Sequence, residues 1–152
     1  MILGGETTKI LIETPGAGEE DTIIIRCRDL DHDLLTLIRT IKMSSETLLG
    51  YDNDSIHRVS PKDVYYFETV DNHTYLYLKN RVLEFRQKLY QIEETFANSD
   101  YLRVSKSVIL NITKIKSLSP AFSGRFEAIL ENGEKVIISR QYMSELKKKL
   151  HI

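Results

Sequence analysis

The chain has 152 residues, of which 41% are hydrophobic and 28% charged, as in an ordinary globular domain that is long enough to bury a core. No stretch approaches the ~18 apolar residues of a membrane-spanning helix, and the N-terminus lacks the basic start and long apolar run of a secretory signal. The single cysteine, Cys27, cannot form an internal disulfide and leaves a zinc site without a second thiolate. These features predict a cytoplasmic protein.

The net charge of −1 conceals an uneven distribution along the sequence. Residues 1–50 contain five Lys or Arg against nine Asp or Glu, a net of −4, and residues 51–152 contain sixteen against thirteen, a net of +3. A modest positive excess favours nucleic acid only where it is clustered on the surface. The charge balance alone therefore does not identify a partner.

The first part of the chain predicts a small β-β-α unit over residues 1–46. Strands are expected at 8–13 and 22–28, on either side of a glycine-rich acidic turn. A helix is expected over 29–44, because apolar residues recur there at spacings of three and four: Leu30, Leu34, Leu37, Ile38 and Ile41. Two strands and one helix bury too little to fold alone, so this unit must pack against something else.

The second part, residues 47–152, predicts a mainly β domain with short helices. The strand-like segments are rich in β-branched and aromatic residues and lie at 47–53, 55–61, 63–70, 74–80, 101–104, 108–111 and 124–140, the last with an Asn132-Gly133 hairpin turn. Helices are expected within 81–100, with Phe85, Leu89, Ile92 and Phe96 on one face, and over 141–150. So many short strands favour stacked sheets over a helix-turn-helix fold.

No pattern in the sequence predicts catalysis. The four histidines lack the spacing of metal ligands, and no phosphate-binding loop or nucleophile elbow is present. Ser105, Lys106 and Ser107 are consecutive, but neighbours on a strand point to opposite faces, so they do not form a catalytic dyad. We therefore predict that the protein is not an enzyme and uses no cofactor, metal ion or small-molecule substrate.

Three polar side chains follow a different pattern, because each stands where a predicted strand ends. His73 lies at the tip of the hairpin over 63–80, Lys106 interrupts an apolar run, and Arg140 follows the last strand. Such groups can donate to guanine edges or to phosphate oxygens. The alternative, that all three are solvated loop residues, stays open on chemistry alone.

The sequence also resembles the LytTR (LytR/AlgR-type) DNA-binding domain over about residues 50–150. The resemblance is carried by four features in the family's order: the opening "DVYYFE", a helix that ends in Phe96, the block "YLRVSKSVILN", and a strand that ends in Ser139-Arg140. It implies an elongated stack of antiparallel β-sheets, with loops rather than a recognition helix in successive major grooves.

The resemblance assigns DNA contacts to His73, Lys106 and Arg140. We add Ser105 and Ser107, which flank Lys106, although the family often has His at the position of Ser105. The resemblance accounts for a lysine between two apolar strands, because that break is then a loop that faces DNA. Arg103 and Asn111 are expected to hold the loop through internal hydrogen bonds.

The sequence resembles the stand-alone branch of the family, because residues 1–46 are too short for the receiver domain that usually precedes the DNA-binding domain. We expect a sequence-specific regulator that binds double-stranded DNA, as a homodimer on repeated half-sites. Relatives in this branch are often encoded beside small membrane proteins, which makes such a protein a candidate regulator. Residues 1–46 are expected to serve dimerisation through Leu34, Ile38 and Ile41, rather than to inhibit binding through their acidic charge.

Two other functions remain open at this point. A single-stranded RNA-binding module could stack bases on Tyr65, Tyr75 or Tyr77. A protein-interaction domain without nucleic acid could use residues 1–45 as its binding surface.

Overall fold

The computed structural model describes residues 2–3, 6–7, 9–44 and 46–152, with the side chains of 1–8 and 43–45 outside the description. Two compact units, Met1–Leu30 and Asp31–Ile152, make up the chain. The elements are β1 (Ile2–Leu3), β2 (Glu6–Thr7), α1 (His32–Ser44), β3 (Leu48–Asp52), β4 (Ser55–Val59), β5 (Tyr66–Val70), β6 (His73–Tyr77), β7 (Val82–Phe85), α2 (Leu89–Thr95), β8 (Tyr101–Arg103), β9 (Val108–Asn111), β10 (Ile115–Pro120), β11 (Phe126–Leu130), β12 (Lys135–Ile138) and α3 (Met143–Leu150).

The smaller unit has less regular structure than its sequence predicts. Strands β1 and β2 form a short antiparallel pair. The strands expected at 8–13 and 22–28 are wrong for the described residues, since 9–13 and 22–28 are exposed and form no strand. Residue 8 lies outside the description. Isoleucine-rich composition favours an extended chain, but a strand also needs a neighbouring edge for its backbone groups, and these segments pair with no other strand in the described part of the chain.

Helix α1 confirms the helix predicted within 29–44, although Leu30 precedes it and Leu37 is exposed on it. The Asp31 carboxylate accepts a hydrogen bond from the Leu34 backbone N–H at 2.9 Å, which satisfies a donor at the start of the helix. The helix belongs to the larger unit, where Arg39 Nη1 donates to the Ala97 carbonyl at 2.9 Å. The prediction had grouped this helix with the two strands as residues 1–46.

The larger unit is built from two antiparallel sheets, which confirms the predicted mainly β fold with short helices. Seven strands follow the order β4-β3-β7-β6-β5-β9-β8, and β10-β11-β12 form a second sheet. Strand β5 is an inner strand of the large sheet, where Phe67 is paired with Leu76 of β6 on one side and Ile109 of β9 on the other. The loops at the ends of these central strands therefore have fixed positions.

Two buried clusters hold these sheets. The first surrounds Phe67, whose ring centroid lies 5.3 Å from that of Phe85 and 5.8 Å from that of Tyr101, and α2 packs there through Leu89 and Ile92. The second joins the two sheets and α3, and its fully buried side chains include Val104, Leu110, Leu130, Ile138 and Leu146. Because both clusters are packed, the loops between the strands rest on rigid elements.

Part of the segment predicted as a helix within 81–100 is instead a strand. Phe85 was expected on the apolar face of a helix, but it lies in β7, where exposure alternates with Val82 and Glu84 exposed and Leu83 and Phe85 buried. This period of two is typical of a strand with one buried face. Helix α2 accordingly begins only at Leu89.

Candidate nucleic-acid interface

His73 lies at the tip of the β5–β6 hairpin. The two turn residues, Asp71 and Asn72, have φ angles of 50° and 65°, and Val70 pairs directly with His73. Two left-handed residues between paired strands define a tight turn that matches the strand twist. The His73 side chain is 61% exposed, and its Nδ1 lies 3.6 Å from Glu84 Oε1 on the neighbouring strand. The imidazole is thus presented to solvent from a rigid hairpin.

Arg103 supports the loop of residues 104–107. Its Nε donates to the Ser105 carbonyl at 2.7 Å, and its Nη2 donates to the Lys106 carbonyl. Its Nη1 lies 3.7 Å from Glu93 Oε1, and the side chain is 20% exposed. The Ser107 backbone N–H also donates to Ser105 Oγ at 3.2 Å, which closes the loop on itself. The predicted role of Arg103 as an internal hydrogen-bond donor is confirmed.

Asn111 fixes the far end of β9. It is 2% exposed, its Nδ2 donates to the Val64 carbonyl at 2.9 Å, and its Oδ1 accepts from the Thr113 backbone N–H at 3.1 Å and from Thr113 Oγ1 at 2.7 Å. A buried amide that is fully bonded anchors the chain where it leaves the sheet. The internal hydrogen bonds predicted for Asn111 are present, but they hold the chain after β9 rather than the loop of residues 104–107.

Lys106 has the same charge as Arg103 but the opposite environment. Its side chain is exposed, and within the described ranges its ammonium group makes no hydrogen bond or ion pair. The Lys106 carbonyl, in contrast, is held by Arg103. The backbone of the loop is therefore fixed while the cation remains available to an external partner.

Arg140 is exposed directly after Ser139, which follows β12, and its side chain lies against Gly124. A Cβ placed on Gly124 would lie 2.9 Å from Arg140 Cδ, and Gly124 has a φ of +74°. Only glycine accommodates both this close approach and this backbone conformation without strain. The stem of Arg140 is thus positioned by backbone rather than by another charge.

Two backbone hydrogen bonds bring the three predicted positions together. Thr69, one residue before the end of β5, donates its N–H to the Ser107 carbonyl at 2.9 Å. Ser139, beside Arg140, donates its N–H to the Val104 carbonyl at 2.8 Å. The loop that carries Lys106 consequently lies between the other two, and the hairpin tip, this loop and the segment at Arg140 form one edge. We call His73, Lys106 and Arg140 the presented residues.

The sequence reasoning missed Phe122, which lies beside this edge. It is 92% exposed and opens a turn in which the Arg125 backbone N–H donates to the Phe122 carbonyl at 3.2 Å. The same turn contains Gly124, the neighbour of Arg140. A single exposed apolar side chain is ordinary on a protein surface, so it is the position of Phe122 beside Arg140 that makes it a candidate. The available signal was an aromatic residue within a run of Ser, Pro and Gly.

The tyrosines considered for base stacking are less available than the sequence suggested. Tyr65 is 6% exposed, and Lys114 Nζ lies 5.0 Å from the centroid of its ring. Tyr77 stacks on Tyr66 with centroids 4.1 Å apart. Burial and the hydrogen bond from its hydroxyl to Glu68 raise the pKa of Tyr77 to about 12, so it stays protonated at neutral pH. Two of the three rings are therefore occupied by intramolecular contacts.

Within the described residues, no group of three or more His, Cys, Asp or Glu side chains is arranged to hold a metal ion. No helix in the same ranges is long and apolar enough to cross a membrane.

The structure thus presents cationic side chains on strand-connecting loops of a β-sheet scaffold. Residues 54–151 match the model of the LytTr DNA-binding domain, and the chain therefore belongs to the LytTR family. The family resemblance noted in the sequence is confirmed.

Individual relatives agree with this membership. The chain is 32% identical over 106 residues to the sensory transduction protein LytT of Enterococcus faecalis and 35% identical over 99 residues to LytT of Bacillus subtilis, covering 70% and 65% of this chain but only 44% and 41% of those proteins. It is 25% identical over 135 residues to an uncharacterized HTH-type transcriptional regulator of Staphylococcus aureus, covering 88% of this chain and 91% of that one. The chain thus spans less than half of the LytT proteins and nearly all of the staphylococcal one.

A solved structure has the same fold. It is the LytTr DNA-binding domain of a Bacillus cereus protein, with a TM-score of 0.67 and 25% identity, covering 71% of this chain and 99% of that one.

Proposed function

We propose that this protein is a cytoplasmic transcriptional regulator that binds specific sequences of double-stranded DNA through loops inserted into the major groove. The observation that carries the proposal is the pair of backbone hydrogen bonds, Thr69 to Ser107 and Ser139 to Val104, which joins three loops that bear exposed donors. Family membership supports it, because the LytTR family is a family of DNA-binding domains.

Each side chain of this edge suits a distinct contact. The Arg140 guanidinium can donate to O6 and N7 of one guanine at once, and the Lys106 ammonium can meet a guanine or a phosphate. The His73 imidazole can reach either a base edge or a phosphate oxygen. Ser105 Oγ already accepts from the Ser107 N–H, so its own O–H is left to donate to phosphate. The Ser107 hydroxyl can donate in the same way.

The small number of base-reading groups favours two copies on repeated half-sites. One good bidentate contact contributes roughly 1–3 kcal/mol of discrimination, whereas a specific site typically exceeds non-specific DNA by about 4–10 kcal/mol. The presented residues of one chain are one guanidinium, one ammonium and one imidazole. Two copies double that discrimination and match a repeated site, so we propose a homodimer.

The proposal is tested by selecting bound duplexes from a random pool and measuring their affinity at several salt concentrations. We expect one repeated motif to be enriched, and log affinity to fall with log salt by about 0.9 per phosphate contact. An excess of single-stranded RNA should not displace the duplex.

A matched pair of double variants locates the binding surface. Lys106→Ala with Arg140→Ala should abolish enrichment. Lys62→Ala with Lys79→Ala removes the same charge from exposed positions at the opposite ends of β5 and β6 and should preserve it. Equal loss in both variants would contradict the assigned surface, and displacement by RNA would favour the single-strand alternative.

A further inference from the structure

The smaller unit exposes an unusual amount of aliphatic surface. Five of its side chains are largely accessible: Ile10 at 83%, Leu11 at 81%, Ile12 at 93%, Ile23 at 68% and Ile24 at 72%. They fall in two short segments, 9–13 and 22–25, with the composition that strands favour. Contiguous exposed apolar residues in an ordered chain mark an interaction surface rather than a solvated loop.

We propose that residues 9–13 pair antiparallel with the same residues of a second copy and thereby hold two chains together. The proposal rests on the proposed function and names the contact by which its dimer forms. A pairing centred on Leu11 places Ile10 opposite Ile12 of the partner subunit and Lys9 opposite Glu13 of the partner subunit. Each relation occurs twice, as a two-fold axis requires.

The charges of this segment are complementary to themselves. Lys9 begins it and Glu13 ends it, so only antiparallel self-pairing brings a cation opposite a carboxylate at both ends. Neither side chain has an ion pair within the described ranges of the chain. Opposite charges directly across two strands stabilise the pair, and like charges destabilise it. The sequence therefore disfavours the parallel arrangement, which would set Lys9 beside Lys9 and Glu13 beside Glu13.

The strand alternation separates polar from apolar contacts. Ile10 and Ile12 would share one face, while Lys9, Leu11 and Glu13 would share the other. Four isoleucines from two copies then form one continuous apolar face. Their β-branched side chains pack well on such a pleated surface.

The second segment can widen the same sheet. A turn at Gly16–Glu19 reverses the chain between the two segments: the Glu19 N–H donates to the Gly16 carbonyl at 3.1 Å, and Gly18 has a φ of +84°. Ile23 and Ile24 are thereby available on the outer edges of the pair. Three or more strands with an apolar face are more stable than an isolated two-stranded pair.

This surface replaces the helical one expected from the sequence. Leu34, Ile38 and Ile41 of α1 are half-buried within one chain, whereas Ile10 and Ile12 are almost fully accessible. Segment 9–13 therefore leaves a larger fraction of its apolar side chains exposed to solvent than these residues of α1 do.

Charge exchange in the full-length chain, followed by sedimentation equilibrium, tests the pairing. Lys9→Glu and Glu13→Lys should each weaken dimerisation about tenfold, because each sets like charges opposite one another twice. The double variant, Lys9→Glu with Glu13→Lys, restores opposite charges and should recover the parent's dimerisation to within about threefold. Leu11→Asp places two carboxylates on the axis and should give a monomer. Lys148→Glu, an exposed change on α3, is the matched control and should leave the dimer intact.

Two results would overturn the proposal: a parent chain that is monomeric at concentrations on the order of 100 µM, or a double variant as weak as the single ones. Thermal melts should agree among the variants, because the altered side chains are exposed. Affinity for a single half-site, measured in parallel, separates the two hypotheses. A dimer that binds no duplex refutes DNA binding but not the pairing, and a monomer that binds duplex refutes the pairing and the homodimer but not DNA binding.

Discussion

The side chains that support the 104–107 loop and those exposed at its edge are chemically similar but differ in their hydrogen bonding. Arg103 and Lys106 are both cations three residues apart, yet the nitrogens of Arg103 bond to two carbonyls of the loop while Lys106 has an exposed ammonium group. Asn111 is buried and bonded like Arg103, and Arg140 is exposed like Lys106. The comparison teaches that charge alone does not mark a binding residue. What distinguishes the two groups is whether the hydrogen-bonding capacity of the side chain is already satisfied within the chain.

The largest effect on stability is expected for Asn111→Ala. The substitution leaves the buried Val64 carbonyl and the Thr113 N–H without their partner, and should lower the free energy of unfolding by about 2 kcal/mol. Urea denaturation measures the loss. Asn132→Ala is the control, because Asn132 Nδ2 also donates to a backbone carbonyl, that of Lys79, but in an exposed turn. An equal loss in both variants would show that burial is not what gives Asn111 its role.

Arg140→Ala should leave unfolding unchanged and weaken specific DNA binding by about 1–3 kcal/mol, since a guanine would lose both of its donors. Titration of specific and random duplexes measures this difference. Arg140→Lys keeps the charge but lacks the planar guanidinium that can donate two parallel hydrogen bonds. It should retain affinity for random duplexes while preference at one or two base positions is relaxed. If Arg140→Ala binds both duplexes as the parent does, Arg140 does not belong to the interface.

Arg103→Ala and Lys106→Ala remove the same charge from one loop and should separate support from presentation. Arg103→Ala should cost about 1 kcal/mol of stability and also weaken binding, because the loop loses its internal donors. Lys106→Ala should melt like the parent and reduce the salt dependence of binding by about one phosphate contact. Thermal melts and salt titrations of the two variants measure this. A lower melting temperature for Lys106→Ala alone would mean that the roles are reversed.

The smallest effect is expected for Phe122→Ala, at below about 1 kcal/mol of binding, through loss of an apolar contact with a thymine methyl group. Duplexes in which thymine is replaced by uracil lack this methyl group and provide the check. The variant and the parent should differ on thymine-containing DNA and agree on the uracil duplex. A difference of the same size on both would exclude the methyl contact.

The sequence predicts the supporting and presented residues better than it predicts their assembly. The run from Arg103 to Asn111 has a specific pattern, so both structural roles could be assigned from it. The two hydrogen bonds that align the loops, at Thr69 and Ser139, join backbone atoms far apart in the chain. Backbone donors have no side-chain signature, and the alignment therefore requires the structure.

Secondary structure was predicted wrongly where a residue fits both the helical and the strand periodicity, or where strand formation depends on a pairing partner. Phe85 fits the apolar spacing of the following helix, but the alternation with Leu83 decides for a strand. The isoleucine-rich segments 9–13 and 22–28 have strand composition, yet they pair with no edge among the described residues of the chain. Local propensity predicts extended backbone there but not whether a strand forms.

Because Gly124 lies close to Arg140, we expect substitutions at Gly124, as well as at Arg140, to change the base sequence that the domain prefers. Any side chain at position 124 would strain the backbone there, which has a φ of +74°. Its Cβ would lie 2.9 Å from Arg140 Cδ and would displace the Arg140 side chain. A laboratory selection for altered base preference should therefore recover changes at Gly124 as well as at Arg140. Gly124, which has no side chain, thus determines the orientation of the Arg140 guanidinium.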